Sequence, residues 1–272
     1  MIELLGRVAA FARAHGLEGA LRFSRDLGDA VLLRARTPPL SVTVGGIKLR
    51  GFLRHRSFLA ELATGGYEPT VCKLYVEAVA GAEVVIDVGA HTGFYSLLAA
   101  RTNRSARVIA VEADPYNAVA LAANARGTRV QVVAMAASDH VGRSAFRQNL
   151  GTVGSSLLDR SGTGPVRVVE VETTTIDALA REPRALVLKI DVEGAELAVL
   201  AGATATISGA VDATLLVELN PKALAAGGHS GADLVAALEA LGLEVGFIDE
   251  TVGQITETVD IGRKGNLVAR KP

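Results

Sequence analysis

The stretch Val84–Ser96, reading VVIDVGAHTGFYS, constrains the fold more than any other part of this chain. It opens with the β-branched run Val84-Val85-Ile86 and continues through the acid Asp87 to Val88. A turn with Gly89 and Gly93 comes next, and Phe94–Ala100 then has the character of a helix. That pattern is a buried parallel strand, a tight loop and a helix N-terminus. Gly89 lets the backbone leave the strand sharply, and Gly93 removes a Cβ where helix, loop and ligand crowd together. The unpaired N–H groups and positive dipole end of such a helix suit a carboxylate or a phosphate.

The dinucleotide fingerprint G-x-G-x-x-G is absent, because the spacing here is Asp-x-Gly-x-x-x-Gly. That counts against a nicotinamide dehydrogenase. A second apolar strand, Arg107–Val111, ends in Glu112. An acid at the end of strand two, about twenty residues past the glycine loop, commonly takes two ribose hydroxyls. Asp87 and Glu112 both stand at carboxyl ends of apolar strands, where open α/β sheets bind ligands. Together Asp87, Gly89, Gly93 and Glu112 resemble the S-adenosylmethionine (SAM) site of class I methyltransferases. The alternative is a plain βαβ unit with a tight turn and a charged strand end.

A length of 272 residues allows one large domain, or a domain with a small extension, and 49% hydrophobic residues suffice for its core. With 28 basic and 29 acidic residues there is no surplus to favour nucleic acid and no polybasic tract for anionic membrane. Aromatics at 4% and the absence of Trp argue against base-stacking platforms. Cys72 is the single cysteine, which excludes an intrachain disulfide and a cysteine-based metal cluster. The apolar stretch Val8–Ala12, bounded by Arg7 and Arg13, is too short for a signal peptide or a membrane span. The expectation is a soluble, cytoplasmic protein with a small-molecule ligand.

Residues 1–80 read as a helical and hairpin cap. Met1–His15 has helical spacing, and Thr37-Pro38-Pro39 is a break. Leu40–Val44 and Ile47–Arg50 flank a Gly45-Gly46 turn, and Ser57–Thr64 and Pro69–Ala80 come after it as helices. This cap could supply a homodimer surface or a lid. Residues 81–272 form the main domain, with an insertion at about 143–173. Its strands are Val84–Val88, Arg107–Val111, Val130–Val133, Leu186–Ile190, Thr214–Val217, Leu243–Ile248 and Asn266–Ala269. Helices come between them: Pro115–Ala125 with Asp114 as N-cap, Ile176–Ala180, Glu193–Leu200 and Ala232–Leu241. In the insertion, Ser144–Gln148 and Val166–Thr173 read as two exposed strands around the Gly/Ser-rich Asn149–Gly164. Lys222–Gly231 reads as a glycine-rich loop. Strands alternating with helices give an α/β, doubly wound, mostly parallel sheet.

Several segments together resemble the FkbM family of SAM-dependent O-methyltransferases. They are Asp87–Gly93, Glu112–Pro115, Asn124, Ala137-Ser138-Asp139, Thr173–Asp177, Leu188–Glu196 with Val199–Gly202, Val217–Pro221, and Asn266–Ala269. The Lys-Ile-Asp-Val-Glu-Gly run is the most specific of them, and the resemblance covers roughly residues 65 to 270. One departure is His91, where the family often has Asn; either side chain can hydrogen-bond at the methionine end of the cofactor. The resemblance implies a Rossmann-like class I methyltransferase fold, a seven-stranded mostly parallel sheet with helices on both faces. Its strand order would be 3-2-1-4-5-7-6, with the last strand antiparallel. It also implies a SAM cofactor, S-adenosylhomocysteine as product, and hydroxyl acceptors on sugars, saccharide precursors or natural products. Cofactor contacts would come from Glu68, Asp87, Gly89, His91, Thr92, Gly93, Glu112, Ala113, Ser138, Asp139 and Asp191, with Asp139 at the adenine amine.

Methyl transfer to an alcohol is an in-line displacement that needs two substrates held in line, which can supply ~7–11 kcal/mol of the barrier. An alcohol also needs a general base, worth roughly 10²–10⁴-fold, or a divalent ion that lowers its pKa. Asp191 and Glu218 leave adjacent strands at their carboxyl ends and are the candidate Mg²⁺ ligands. Asp191 and Glu193 are candidate catalytic acids; a helix N-cap for Asp191 and a dipole charge for Glu193 are the structural alternatives. Glu196 reads as a solvated helix face. Lys189 either pairs with a site acid or reaches the far face. Of the histidines, His15 and His55 read as surface residues and His140 as exposed beside Asp139. His229, in a glycine loop after strand five, is the preferred histidine base. N-methylation of a small amine or peptide, and a non-catalytic nucleotide-binding module, are the competing readings.

Overall fold

The computed structural model describes residues 40–149 and 166–272. The Met1–His15 helix, the Thr37–Pro39 break and residues 150–164 of the Gly/Ser-rich segment lie outside the described residues. Ser41–Pro272 packs as one compact unit.

The chain enters through a hairpin of β1 (Leu40–Val44) and β2 (Ile47–Gly51). Gly45 and Gly46 both have positive φ, 54° and 77°, the backbone that a two-residue primed turn demands. The 3₁₀ turn Leu53–His55 and helices α1 (Arg56–Thr64) and α2 (Pro69–Ala80) lead to β3 (Val84–Val88). β3 is buried along its whole length, as a strand covered on both faces must be. Then come α3 (Phe94–Thr102), β4 (Arg107–Val111), α4 (Pro115–Asn124) and β5 (Gln131–Val133). β6 (Ala136–Ala137), β7 (Gly142–Asn149) and β8 (Val166–Thr174) interrupt the alternation. It resumes with α5 (Ile176–Leu179), β9 (Ala185–Ile190), α6 (Glu196–Ala201), α7 (Thr204–Gly209) and β10 (Asp212–Leu219). The chain ends with α8 (Pro221–Ala226), α9 (Gly231–Ala240), β11 (Glu244–Asp249), β12 (Gln254–Thr256) and β13 (Gly265–Arg270).

The main sheet runs β12-β11-β13-β10-β9-β3-β4-β5. β5, β4, β3, β9 and β10 are parallel, and β13 runs antiparallel between β10 and β11. This is the class I order with an eighth strand, β12, on one edge. The expected seven strands omitted it because Gln254-Ile255-Thr256 is too short to show an alternating pattern. Ile86, Leu188, Leu215, Val199, Ile207, Leu234 and Leu238 pack in the central apolar cluster. Among the described residues no helix is long and apolar enough to cross a membrane.

Other boundaries shift for local reasons. Pro221–Ala226 is helical inside the expected glycine-rich loop, because Asn220 caps it through Ala223 N–H and Pro221 opens it. Thr204–Gly209 adds a turn of helix that the pattern did not announce. The insertion is not a pair of exposed strands. β7 and β8 pair antiparallel, and β6 joins β8 in parallel. Phe146 and Val171 bury one face of this ribbon against Ala136.

His55 corrects the surface reading, since it is fully buried. Its Nδ1 accepts from Phe52 N–H at 3.0 Å, so Nε2 carries the proton toward Asn117 Oδ1, also at 3.0 Å. That arrangement holds the ring neutral, and burial lowers its pKa to about 4. Below pH 6.5 the unfolded chain therefore binds a proton that the folded chain refuses, and the stability His55 provides is lost toward pH 4. Denaturant unfolding of wild type and His55→Asn should show a stability gap that shrinks across this range. A constant gap would contradict the assignment.

Glycines give a second test. A Cβ on Gly202 would lie 2.0 Å from the Ser138 carbonyl oxygen, whereas one on Gly81, at φ −101°, meets nothing within 4 Å. Gly202→Ala should cost about 1–3 kcal/mol through overpacking. Gly81→Ala should be stabilising by roughly 0.4–1 kcal/mol through the unfolded chain. Thermal unfolding of the two variants separates the cases.

Candidate functional site

The sheet register builds the site. Val133, Val111, Val88, Ile190 and Val217 lie on one rung across five parallel strands. One step further along four of these strands stand Glu112, Gly89, Asp191 and Glu218. The site is therefore a row at the carboxyl edge of the sheet, where open α/β sheets hold ligands.

At the centre of the row Gly89 has φ 79°, and a Cβ there would fall 1.9 Å from the Asp191 carbonyl oxygen. Its N–H and that of Ala90 donate to Val111 O at 2.9 and 3.0 Å, which turns the loop over β4. His91 takes φ 53° and donates its backbone N–H to Glu112 Oε2 at 2.7 Å. The His91 ring lies edge-on to Phe58 and His55, and burial lowers its pKa to about 3. Gly93 has φ 94° and opens α3, with Leu121 Cδ1 only 2.7 Å from where a Cβ would sit. Thr92 is buried; its carbonyl accepts from Asn124 Nδ2 at 2.8 Å, and its Oγ1 has no partner. Asp87 accepts from Ser96 Oγ at 2.5 Å, joining β3 to α3. Burial pushes its carboxyl up to about 6.

Glu112 is buried and accepts Asp114 N–H on Oε1 at 2.7 Å. Burial, and then the charge of Asp114, push its carboxyl up to about 8. Ala113 packs against the Phe146 cluster of the insertion. Ser138 is buried and donates to Asp139 Oδ1 at 3.1 Å, while Asp139 itself is exposed. His140 Nδ1, 2.7 Å from the same oxygen, and Ser138 hold the Asp139 carboxyl below its ordinary value. Ser138, Ser144, Ala145, Gly194 and Leu197 line a cavity of about 380 Å³. His229 is exposed and lines this cavity with Ser138.

The acids past β9 and β10 form a second centre. Asp191, Glu193 and Glu218 each offer a carboxylate oxygen, and these atoms lie within 4.8 Å of one another. Asp191 is not a helix N-cap, and Glu193 does not begin a helix. Glu193 and Gly194 have φ 56° and 107°, a turn that delays α6 to Glu196. Glu196 is not solvated either. It is fully buried and folds back to accept Gly194 N–H at 3.0 Å and Val192 N–H at 3.3 Å. Burial pushes its carboxyl up to about 7. Asn220 Nδ2 reaches Glu193 Oε2 at 3.3 Å.

Two lysines face this cluster. Lys189 is buried, 3.4 Å from Asp191 Oδ2 and 5.1 Å from the Tyr95 ring centroid, which settles its pairing with a site acid. Burial works to lower its pKa, yet Asp191, Glu68, Asp87 and Glu218 together raise it. Lys264 lies 2.8 Å from Glu218 Oε1, and this pair was not evident in the sequence. Glu218 Oε2 is buried without a partner. Burial, then Asp191 and Glu193, push the Glu218 carboxyl well above the usual range. Glu68 sits at φ 42° ahead of α2 and accepts from Tyr95 O–H and from Asn266 Nδ2, both at 2.8 Å. Tyr67, also missed, packs edge-on to Phe58; burial and then Glu68, Asp191 and Glu218 raise its phenol pKa. The pairing of Asn266 with Glu218 across β10 and β13 was the signal that could have found this corner.

The residues fit the two groups the family implies. A Cβ-free loop, an orphaned Thr92 hydroxyl and Glu112 suit a nucleoside with a charged tail. Three converging carboxylates with one orphaned oxygen suit a hard divalent cation.

A family model described as the methyltransferase FkbM domain matches residues 87–246, more than half of the chain. No curated relative matches. Solved structures that resemble the chain include a methyltransferase FkbM from Methylobacillus flagellatus KT, 18% identical at a TM-score of 0.45, covering 70% of this chain and 43% of that one. This chain thus spans less than half of that protein. An O-methyltransferase from Bacillus cereus in complex with SAH is 13% identical at a TM-score of 0.42, with 79% and 86% covered. A SAM-dependent methyltransferase from Agrobacterium tumefaciens is 9% identical at 0.45, with 86% and 69% covered. With the family model spanning the glycine loop, the ribose acid and both acid-bearing strand ends, the chain belongs to the FkbM family of SAM-dependent methyltransferases.

Proposed function

We propose that this protein transfers the methyl group of SAM to a hydroxyl of a sugar, an oligosaccharide or polysaccharide precursor, or a secondary metabolite. The observation that carries this reading is the convergence of Asp191, Glu193 and Glu218 on the same sheet edge as Gly89 and Glu112. A neutral amine already has a free lone pair and needs no such base. A hydroxyl has a very high pKa and does. The acid cluster therefore favours O-methylation over N-methylation.

In this reading Glu112 takes the ribose hydroxyls, exchanging some of its hold on the His91 and Asp114 N–H groups. Gly89, His91, Thr92 and Gly93 cradle the methionine half, with Glu68 and Asp191 beside it. Ala113, Ser138 and Asp139 border the adenine, in the cavity that Ser138 lines. Bound SAM supplies a methyl carbon made electrophilic by its sulfonium and departs as the neutral thioether S-adenosylhomocysteine. As the acceptor oxygen bonds to that carbon, a cluster carboxylate accepts the hydroxyl proton. Glu218 suits this role because burial and its acidic neighbours raise its proton affinity. Mg²⁺ would be held by Asp191 and Glu218 with Glu193 alongside, and would lower the acceptor's pKa. His229 remains a secondary candidate base, since it is exposed on the rim of the cavity.

Calorimetric titration should give micromolar binding of S-adenosylhomocysteine and none of NAD⁺. Glu112→Ala should weaken it at least ~10-fold, the loss of a hydrogen bond to a charged group being about 1.5–3 kcal/mol. Tighter binding of NAD⁺ would overturn the cofactor assignment. In a labelled-methyl screen of sugar acceptors, with and without EDTA, Glu218→Gln should lower kcat roughly 10²–10⁴-fold. Its affinity for S-adenosylhomocysteine should stay near that of wild type. Undiminished turnover in Glu218→Gln would remove Glu218 from proton transfer.

A further inference from the structure

We propose that Lys264 is a tethered cation that competes with a divalent ion for the carboxylate cluster, so that metal entry requires its ammonium group to leave Glu218. The inference rests on the reading of Asp191, Glu193 and Glu218 as a metal site.

The two lysines at the cluster are built differently. Lys189 arises from the middle of the sheet, is 1% exposed on its side chain, and has Asp191 and the Tyr95 ring as its surroundings. It has no route to water. The Lys264 side chain is 61% exposed, yet its Nζ lies 2.8 Å from an oxygen of Glu218, whose side chain is 7% exposed. One partner is fixed in the protein and the other arrives from solvent. The base of the arm is fixed as well. Arg263 makes two hydrogen bonds to Asp249, at 3.0 and 3.2 Å, and Gly265 pairs with Leu219 in the sheet. With the backbone held on both sides, the Lys264 side chain can swing while the strand stays in place.

Charge decides what the swing does. All three cluster acids attract Lys264. When the three carboxylates are ionised and both ammonium groups are present, one negative charge is left over. A divalent ion added to that set would leave an excess positive charge at close range, which is repulsive in a poorly hydrated site. With Lys264 withdrawn, the same ion brings the cluster to neutrality and frees Glu218 Oε1 as a ligand beside the orphaned Oε2. Lys264 thus lowers the apparent affinity for metal without blocking the site permanently.

The test is Mn²⁺ titration of the full chain, read by the electron paramagnetic resonance of free ion, for wild type, Lys264→Ala, Lys264→Gln and Lys264→Arg. Circular dichroism establishes that each variant is folded. Lys264→Ala and Lys264→Gln should bind Mn²⁺ at least tenfold more tightly than wild type, and Lys264→Arg should behave as wild type. Equal affinity in wild type and the two neutral variants would overturn the competition and leave the metal site standing. No binding in any of the proteins would overturn both. Tighter binding that persists after adding Glu218→Gln to Lys264→Ala would also overturn the proposal, because Glu218 is the residue for which the two cations compete.

Discussion

The tightest constraint in this protein is the approach of Gly89 to the carbonyl of Asp191. The parallel pairing of β3 with β9 carries both strands to the same rung, and their loops leave the sheet side by side. Asp191 N–H donates to Val88 O at 3.0 Å, which brings the two backbones together directly at the exit. Any side chain at 89 would occupy the place of the Asp191 carbonyl oxygen. A positive φ and the absence of a Cβ are thus two demands of one contact. Because the contact is made, the cofactor loop on β3 and the acid on β9 keep a fixed relation. Any in-line geometry for a methyl group between them depends on it.

Burial sets the chemistry of the acids around that contact. Asp87, Glu112, Glu196 and Glu218 are all carboxyls pushed above their ordinary range, in each case first by loss of water. They differ in what offsets that loss. Asp87 has Ser96, and Glu112 and Glu196 have backbone N–H donors. Glu218 has one lysine and an oxygen with no partner. The first three are committed to holding loops and helices. Glu218 is the acid with unused capacity at the strand ends, so its neighbourhood is where a proton or a cation gains most.

The sheet was legible in the sequence because its signals are local. Val84–Val88, Arg107–Val111 and Leu186–Ile190 are unbroken apolar runs that end in acids or glycine, and the structure keeps them as strands. Asp114 announced its helix, and it accepts from Tyr116 and Asn117 N–H as a cap should. Features fixed by partners far along the chain escaped. His55 has the composition of a surface residue, yet Asn117, sixty-two positions later, gives it a buried slot. Glu196 has helical spacing after Glu193, yet two backbone donors from the preceding turn draw it inward. Lys264 reaches Glu218 only because β13 inserts beside β10, a consequence of topology that no short window contains.

Topology of the same kind makes the entry segment and the insertion parts of one site although the sequence separates them. Asp114 is fully buried beside the ribose acid, and its N–H holds Glu112. Its carboxylate accepts from Arg54, which precedes α1, at 3.2 Å, and from Gln148 on β7 at 2.9 Å. A buried carboxylate with these donors is far more stable than one deprived of them, since the charge cannot return to water. The entry segment, the ribose loop and the insertion ribbon therefore share one anchoring charge. A displacement of the ribbon that removes Gln148 weakens the surroundings of the very loop that positions Glu112. Cofactor affinity and the placement of the insertion are in this way linked through a single side chain, without any direct contact between the insertion and Glu112 being required.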